Sequence, residues 1–138
     1  MNDLTRQFTL SNTLRTSILE YGLSDTVREV CGLLGGKGLN ASTFYPIKNV
    51  ATKPGREFFM DPEEQIDAIR RMRLAGESLV GIFHTHPDSP AVPSARDREL
   101  AAYPGTVYLI LSLSTEIPRL KAYYYDGEKF GDELTISS

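Results

Sequence analysis

The sequence predicts an α/β fold, a mixed β-sheet flanked by helices, and three observations carry that expectation. Short apolar or β-branched runs recur along the chain and read as strands. Two stretches with apolar residues at helical spacing, one after Ser11 and one after Asp61, lie between them. The run Val107 to Leu113 is apolar at consecutive positions, the pattern of a central strand covered on both faces by helices.

Taken in order, a short alternating stretch at Gln7 to Leu10 opens the chain. A helix follows, capped by Ser11 or Asn12, with Leu14, Ile18, Leu19 and Leu23 forming its apolar face. Cys31 to Leu34 and Thr43 to Val50 read as strands joined by the turn Gly35-Gly36-Lys37-Gly38. That turn is not a phosphate loop, because the full Gly-x-x-x-x-Gly-Lys-Ser/Thr pattern is missing and no helix follows. The second helix has Asp61 as its cap, Pro62 at its first position and Glu63 and Glu64 at the positive end of its dipole, and it ends near Gly76. Ile66, Ile69, Met72 and Leu74 are its expected buried side, with Arg70, Arg71 and Arg73 a solvated face. Ser78 to His84 is the next strand. A proline-rich loop, Pro87 to Pro93, leads to a short helix from Ser94 to about Tyr103. After the central strand, Lys121 to Tyr125 and Phe130 to Ile136 form two strands about an Asp126-Gly127 turn.

Composition bounds the function. A chain of 138 residues suits one domain over residues 1–138, with no repeat or low-complexity segment. The net charge of −3 comes from interspersed acidic and basic residues, which argues against a nucleic-acid partner. No apolar run reaches the roughly 20 residues needed to cross a bilayer, so no membrane partner is expected. Residues 1–6 lack a signal-peptide pattern, and the single Cys31 cannot form an internal disulfide; both point to the cytoplasm.

The chemistry concentrates at His84-Thr85-His86-Pro87, which holds both histidines of the chain. Side chains of an extended strand alternate, so His84 and His86 share one face while Thr85 enters the opposite packing layer. Pro87 ends the strand and leaves His86 where solvent and substrate can enter. Ten residues separate His86 from Asp97, enough for a loop to return and offer a carboxylate from the first turn of a helix. Three such ligands around zinc leave a fourth position for water, the arrangement of a catalytic site. Plainer readings stand beside this one. Ser94-Ala95-Arg96-Asp97 also fits a capping box, and a His-x-His pair also occurs as two packed imidazoles. Asp88 competes with Asp97 as third ligand, and Cys31 competes for the fourth position.

Together, Glu29-Val30-Cys31-Gly32-Leu33-Leu34-Gly35 upstream, His84-Thr85-His86-Pro87 and Ser94-x-x-Asp97 resemble the JAMM (MPN+) metalloprotease family, whose pattern has these elements in this order. Asn49-Val50-Ala51, Phe59-Met60-Asp61-Pro62-Glu63 and Tyr103-Pro104-Gly105 extend the resemblance to small bacterial members over nearly the whole chain. The resemblance implies a single MPN domain with layering similar to cytidine deaminases. It implies one zinc ion held by His84, His86 and Asp97, Glu29 as general base and Ser94 as a partner of the oxyanion. Composition alone does not select Glu29 over Asp25, Glu57 or Glu77. The family relation further implies a ubiquitin-like sulfur-carrier protein as substrate, cut after its C-terminal Gly-Gly tail, with cysteine or a processed carrier released as in cysteine biosynthesis. The short segments Ala51 to Glu57 and Asp88 to Pro93 leave little room to grip ubiquitin itself. The absence of His-Glu-x-x-His and of Pro-Cys-x-x-Cys argues against a thermolysin-type site and a nucleobase deaminase. A zinc hydrolase of cell-wall or phage-tail peptides and a non-catalytic MPN scaffold are the alternatives. The oligomeric state, monomer or homodimer, stays open.

Overall fold

A computed structural model of the protein describes residues 6–138, and residues 1–5, most of the stretch read above for a signal-peptide pattern, lie outside the described residues. The elements run β1 (Gln7–Thr9), α1 (Asn12–Leu23), β2 (Cys31–Lys37), β3 (Asn40–Ile47), α2 (Pro62–Leu74), β4 (Ser78–His86), α3 (Ala95–Leu100), β5 (Thr106–Ser112), β6 (Arg119–Tyr125) and β7 (Phe130–Ser137). None of these helices is long and apolar enough to cross a membrane.

The mixed sheet of the sequence reading is present, but it is closed rather than open. Strand order is β1-β3-β2-β4-β5-β6-β7, and β1 returns to pair in parallel with both β7 and β3, through Phe8 with Ile136 and Thr9 with Asn40. Strand twist brings the two ends of the sheet together, and a three-residue strand then bridges them and leaves no edge unpaired. A strand so short carries no periodicity that names its partners, so closure was invisible in the sequence. Its helices still cover the two faces of the sheet. Ile18 of α1 packs with Phe8, Leu34, Phe83 and Leu111, whereas Ala68 and Met72 of α2 pack with Leu33, Ile47 and Ile82.

Local signals act much as expected. Ser11 caps α1 by accepting from Leu14 N–H, and Asp61 caps α2 by accepting from Glu64 N–H. Gly22 lets α1 approach the sheet: a Cβ there would stand 2.5 Å from Leu111 Cδ2. The first hairpin differs, since β2 runs through Gly35, Gly36 and Lys37 and the turn falls at Gly38-Leu39, where Gly38 has φ of 60°. The short third helix ends at Leu100 rather than near Tyr103.

Two apolar faces need correction. Ile66 is 59% exposed and Leu74 84% exposed, because Ala68 and Met72 set the buried line of α2 and Ile66 lies about 120° around the helix from Met72. Leu23 of α1 is likewise half exposed, with Ile18 and Gly22 as the buried positions. Arg70, Arg71 and Arg73 are exposed as expected, with Arg71 paired to Asp67 at 3.1 Å and lying over the Tyr45 ring.

Strand β4 continues two residues past its expected end, to His86. It is held there on both sides: β5 runs parallel, with His84 beside Ile110 and His86 beside Ser112, and β2 runs antiparallel, with Cys31 beside His84. The chain just before β2 extends the pairing, because Thr85 N–H donates to Val30 O at 3.0 Å and Val30 N–H donates to Thr85 Oγ1 at 2.9 Å. Thr85 is fully buried and turned away from the histidines toward α1, where its Cγ2 lies near Gly22. Thr85→Val keeps the shape but leaves Val30 N–H unsatisfied. We expect it to lower the unfolding free energy by about 1–3 kcal/mol in urea denaturation; unchanged stability would show that the bond contributes nothing.

Candidate active site

The end of β4 delivers the two imidazoles as strand alternation requires, and both are buried. Continuing the β2–β4 register from the Cys31–His84 pair sets Glu29 opposite His86, so Glu29, Cys31, His84 and His86 share one face of the sheet. The loop after β4 then turns back, and α3 brings Asp97 to the same point.

Three ligand atoms meet there. His84 Nε2 lies 3.0 Å from His86 Nε2 and 3.1 Å from Asp97 Oδ2, and His86 Nε2 lies 3.0 Å from the same oxygen. Such a triangle is slightly tighter than the edges of about 3.3–3.6 Å that tetrahedral zinc ligands at about 2.0–2.2 Å would span, so a small outward shift of the side chains accommodates one ion. The hydrogen bonding favours a cation as well. His86 Nδ1 lies 2.8 Å from Pro90 O, and a carbonyl only accepts, so Nδ1 carries a proton; the neutral ring then turns a lone pair on Nε2 into the cluster, and only the protonated ring donates from Nε2 to Asp97. A carboxylate oxygen and imidazole lone pairs aimed at one another repel unless a cation or protons lie among them. Among the described residues, no other group of His, Cys, Asp and Glu converges in this way. The donor set therefore fits zinc: two imidazoles and one carboxylate oxygen, three protein ligands of the four that zinc takes.

The three groups perturb one another. Burial pushes the Asp97 carboxyl up, but the His84 charge and the hydrogen bonds from His84, His86 and Ser94 N–H overcome it and hold the group well below the usual carboxylate range. Burial lowers His84, opposed by Asp97. Burial acts in the same sense on His86, yet its bonds to Asp97 and Pro90, with the charges of Asp97 and Glu29, raise it.

Ser94 and Asp97 form a reciprocal capping box at the start of α3: Ser94 Oγ accepts from Asp97 N–H at 3.0 Å, and Asp97 Oδ2 accepts from Ser94 N–H at 2.9 Å. The plainer reading of this motif is therefore present, and it is compatible with the other one. The cap orients the same Asp97 oxygen that meets the histidines, and it uses Ser94 as acceptor only, leaving its hydroxyl proton free to donate. Asp88 is exposed and outside the cluster. Cys31 is buried on the histidine face, but its thiol donates to Ile47 O and burial pushes its pKa up to about 12, so it stays a neutral core thiol.

Glu29 is 5% exposed and its Oε1 has no hydrogen-bond partner among the described residues. Desolvation dominates its titration, opposed by the His86 charge and reinforced by Asp97 and Glu57, and its pKa rises from 4.5 to about 8. A buried carboxyl with one oxygen unpartnered and its pKa raised to about 8, beside three convergent metal-binding side chains, is equipped to exchange protons.

Several neighbours escaped sequence reasoning. Phe58 stacks on the His84 ring with centroids 4.5 Å apart. Arg96 Nε bonds Glu57 Oε2 at 2.8 Å and ties α3 to the loop before α2. A cleft of about 230 Å³ runs beside Asp97 between Phe58, Met60, Leu100 and Tyr103. Each contact joins residues far apart in sequence, and none leaves a local pattern.

Comparison with known proteins identifies the family of the chain. A family model described as prokaryotic homologs of the JAB domain matches residues 11–123. A desampylase from Haloferax volcanii is 37% identical over 137 residues, covering 95% of this chain and 96% of that protein. The CysO-cysteine peptidase of Mycobacterium tuberculosis is 31% identical over 101 residues, covering 72% of this chain and 68% of that one. A solution structure of a Desulfitobacterium hafniense protein, 37% identical, matches with a TM-score of 0.80 over 93% of this chain and 90% of that one.

Between pH 4.5 and about 8 folded Glu29 keeps a proton that the unfolded chain releases, so stability falls as pH rises through this window. Glu29→Gln removes this dependence. In metal-free protein we expect the variant to gain stability over the parent by about 2–4 kcal/mol more at pH 9 than at pH 5. Parallel stability curves in urea would refute the burial argument.

Proposed function

The chain belongs to the prokaryotic homologs of the JAB domain, and from that membership we propose that it is a zinc-dependent peptidase of the JAMM type. Its proposed substrate is a ubiquitin-like sulfur-carrier protein, hydrolysed after the C-terminal Gly-Gly tail to free it from a second protein or from a terminal cysteine. The observation that carries this reading is the convergence of His84, His86 and Asp97 beside a buried carboxyl, Glu29, whose Oε1 is unpartnered.

His84 Nε2, His86 Nε2 and Asp97 Oδ2 would hold the metal. When bound, zinc supplies Lewis acidity toward the scissile carbonyl and toward water. The remaining work falls to the protein. Glu29 takes a proton from the attacking water and returns it to the leaving amine; its raised pKa in the empty cluster is drawn back toward the carboxylate form by any cation nearby. Ser94, held as a cap by Asp97 N–H, turns its free hydroxyl proton toward the oxygen on which charge develops. Pro90 O fixes the His86 tautomer, and Phe58 covers one face of His84.

A tail of two glycines suits this place. An extended backbone without Cβ atoms can run along the cleft between Phe58 and Leu100 close to Asp97, where a larger residue would meet the walls. The near full-length similarity to a desampylase supports release from a protein conjugate, and the shorter match to a CysO-cysteine peptidase supports release of cysteine. We place the activity in the cytoplasm, on the buried free thiol of Cys31, and read the whole chain as one domain.

The test is to incubate the zinc-loaded protein with carrier proteins joined through Gly-Gly either to a lysine side chain or to cysteine, and to weigh the products. Cleavage after the second glycine is expected, with loss on chelation and recovery with zinc. Glu29→Gln should cut kcat by roughly 10²–10⁴-fold while retaining metal, and His84→Ala should lose the metal. Persistent cleavage in Glu29→Gln, or metal retained at full stoichiometry in His84→Ala, would refute the assignment.

A further inference from the structure

We infer that Asn49 is a positioning residue that fixes the main chain of Glu29 and so aims its carboxyl at the cluster; this rests on the role proposed for Glu29. The Asn49 amide uses every hydrogen-bonding position it has. Its Nδ2 donates to Glu29 O at 2.9 Å and to Glu57 O at 3.1 Å, and its Oδ1 accepts from Ala51 N–H at 3.0 Å and Phe59 N–H at 2.9 Å. The partners dictate this orientation, because two are carbonyls and two are N–H groups, so a flipped amide would lose all four bonds.

The location gives these bonds their consequence. Asn49 pairs with Met60 in an isolated bridge, and Val50 N–H donates to Phe59 O, so the amide closes the neck of the loop at 50–59. That loop reaches back to Glu29, whose own N–H donates to Pro54 O. Glu29 is thus gripped on its N–H by the loop and on its carbonyl by the residue that closes the loop. Val30, next in the chain, is fixed to Thr85. The carboxyl gains no such support on Oε1. A buried carboxyl without a partner on one oxygen points where its main chain sets it, and among the described residues the Asn49 bond is the one side-chain hydrogen bond on that main chain. The same knot carries Phe58, which stacks on His84, and Glu57, which pairs with Arg96 next to Asp97. One amide therefore couples the proton-transfer group to the wall of the ligand cluster.

Asn49→Asp separates the two halves of this network. It keeps the acceptor bonds to Ala51 and Phe59 and loses the donor bonds to Glu29 and Glu57. We expect kcat on a Gly-Gly conjugate to fall by roughly 10–100-fold, the scale of a small misplacement of a reacting group, with KM and bound zinc within about twofold of the parent by the same argument. Amide hydrogen exchange should rise at Glu29 and stay near the parental rate at Phe59. Asn49→Ser, which removes the amide without adding charge, takes its place if the aspartate variant does not fold, and the same division between kcat and KM is expected. The proposal is overturned if KM or zinc content changes in step with kcat, if kcat is unchanged, or if the Glu29 amide keeps its protection. If the parent cleaves no conjugate, the proposed function has failed and the exchange measurement alone decides: faster exchange at Glu29 supports the positioning role, and parental exchange overturns it.

Discussion

The site depends on β4 staying extended to its last residue. Only an extended chain puts His84 and His86 on one face with Thr85 on the other, and that requires hydrogen-bonding partners on both flanks up to the point where Pro87 takes over. Parallel β5 supplies one flank. On the other, Thr85 bonds Val30 through both its main chain and its hydroxyl, beyond the formal start of β2. The same contact that straightens the histidine strand sets Glu29 opposite His86. The two histidines and Glu29 are thereby placed by one pairing register, which explains how a glutamate 55 residues upstream of His84 comes to lie beside the cluster.

Such a site is costly on its own. Two imidazoles and two carboxyls are nearly removed from water, and Glu29 Oε1 and His84 Nδ1 find no partner. The surroundings offset that cost. Asp97 has a helix start and two imidazoles on one oxygen, so its negative charge is well compensated; Glu29 has less, and its pKa moves to about 8 instead. Two carboxyls on neighbouring elements are thus pushed in opposite directions, the condition that suits one to stay ionised and the other to exchange protons.

Much of this was legible in the sequence. The β-period of His84-Thr85-His86, the stop at Pro87, the caps at Ser11 and Asp61 and the unbroken apolar run of β5 are local signals, and each appears where its physics puts it. The convergence of His84, His86 and Asp97 could be argued from spacing, whereas Glu29 needed the family pattern because nothing local distinguishes it from Glu57 or Glu77. Barrel closure through β1, the exposure of Ile66 and the knot at Asn49 were not legible. All three are settled by which distant segment arrives alongside, and a single sequence records that only when the contact imposes a local period.

Ser94 shows why competing readings of a short motif need not exclude each other. As a helix cap it requires an oxygen lone pair aimed at Asp97 N–H, which the structure shows, and the oxyanion role proposed for it requires a hydroxyl proton aimed elsewhere; one hydroxyl has room for both. The capping box also returns Asp97 Oδ2 to Ser94 N–H, so the geometry that starts α3 is the geometry that turns a carboxylate oxygen toward the histidines. A six-residue helix has little stability of its own. Its position is held instead by that box and by Arg96 reaching Glu57 on the loop that Asn49 closes. Asp97 on one side and Glu29 on the other are therefore braced against the same loop, and the distance between the two carboxyls is set there as much as in the sheet.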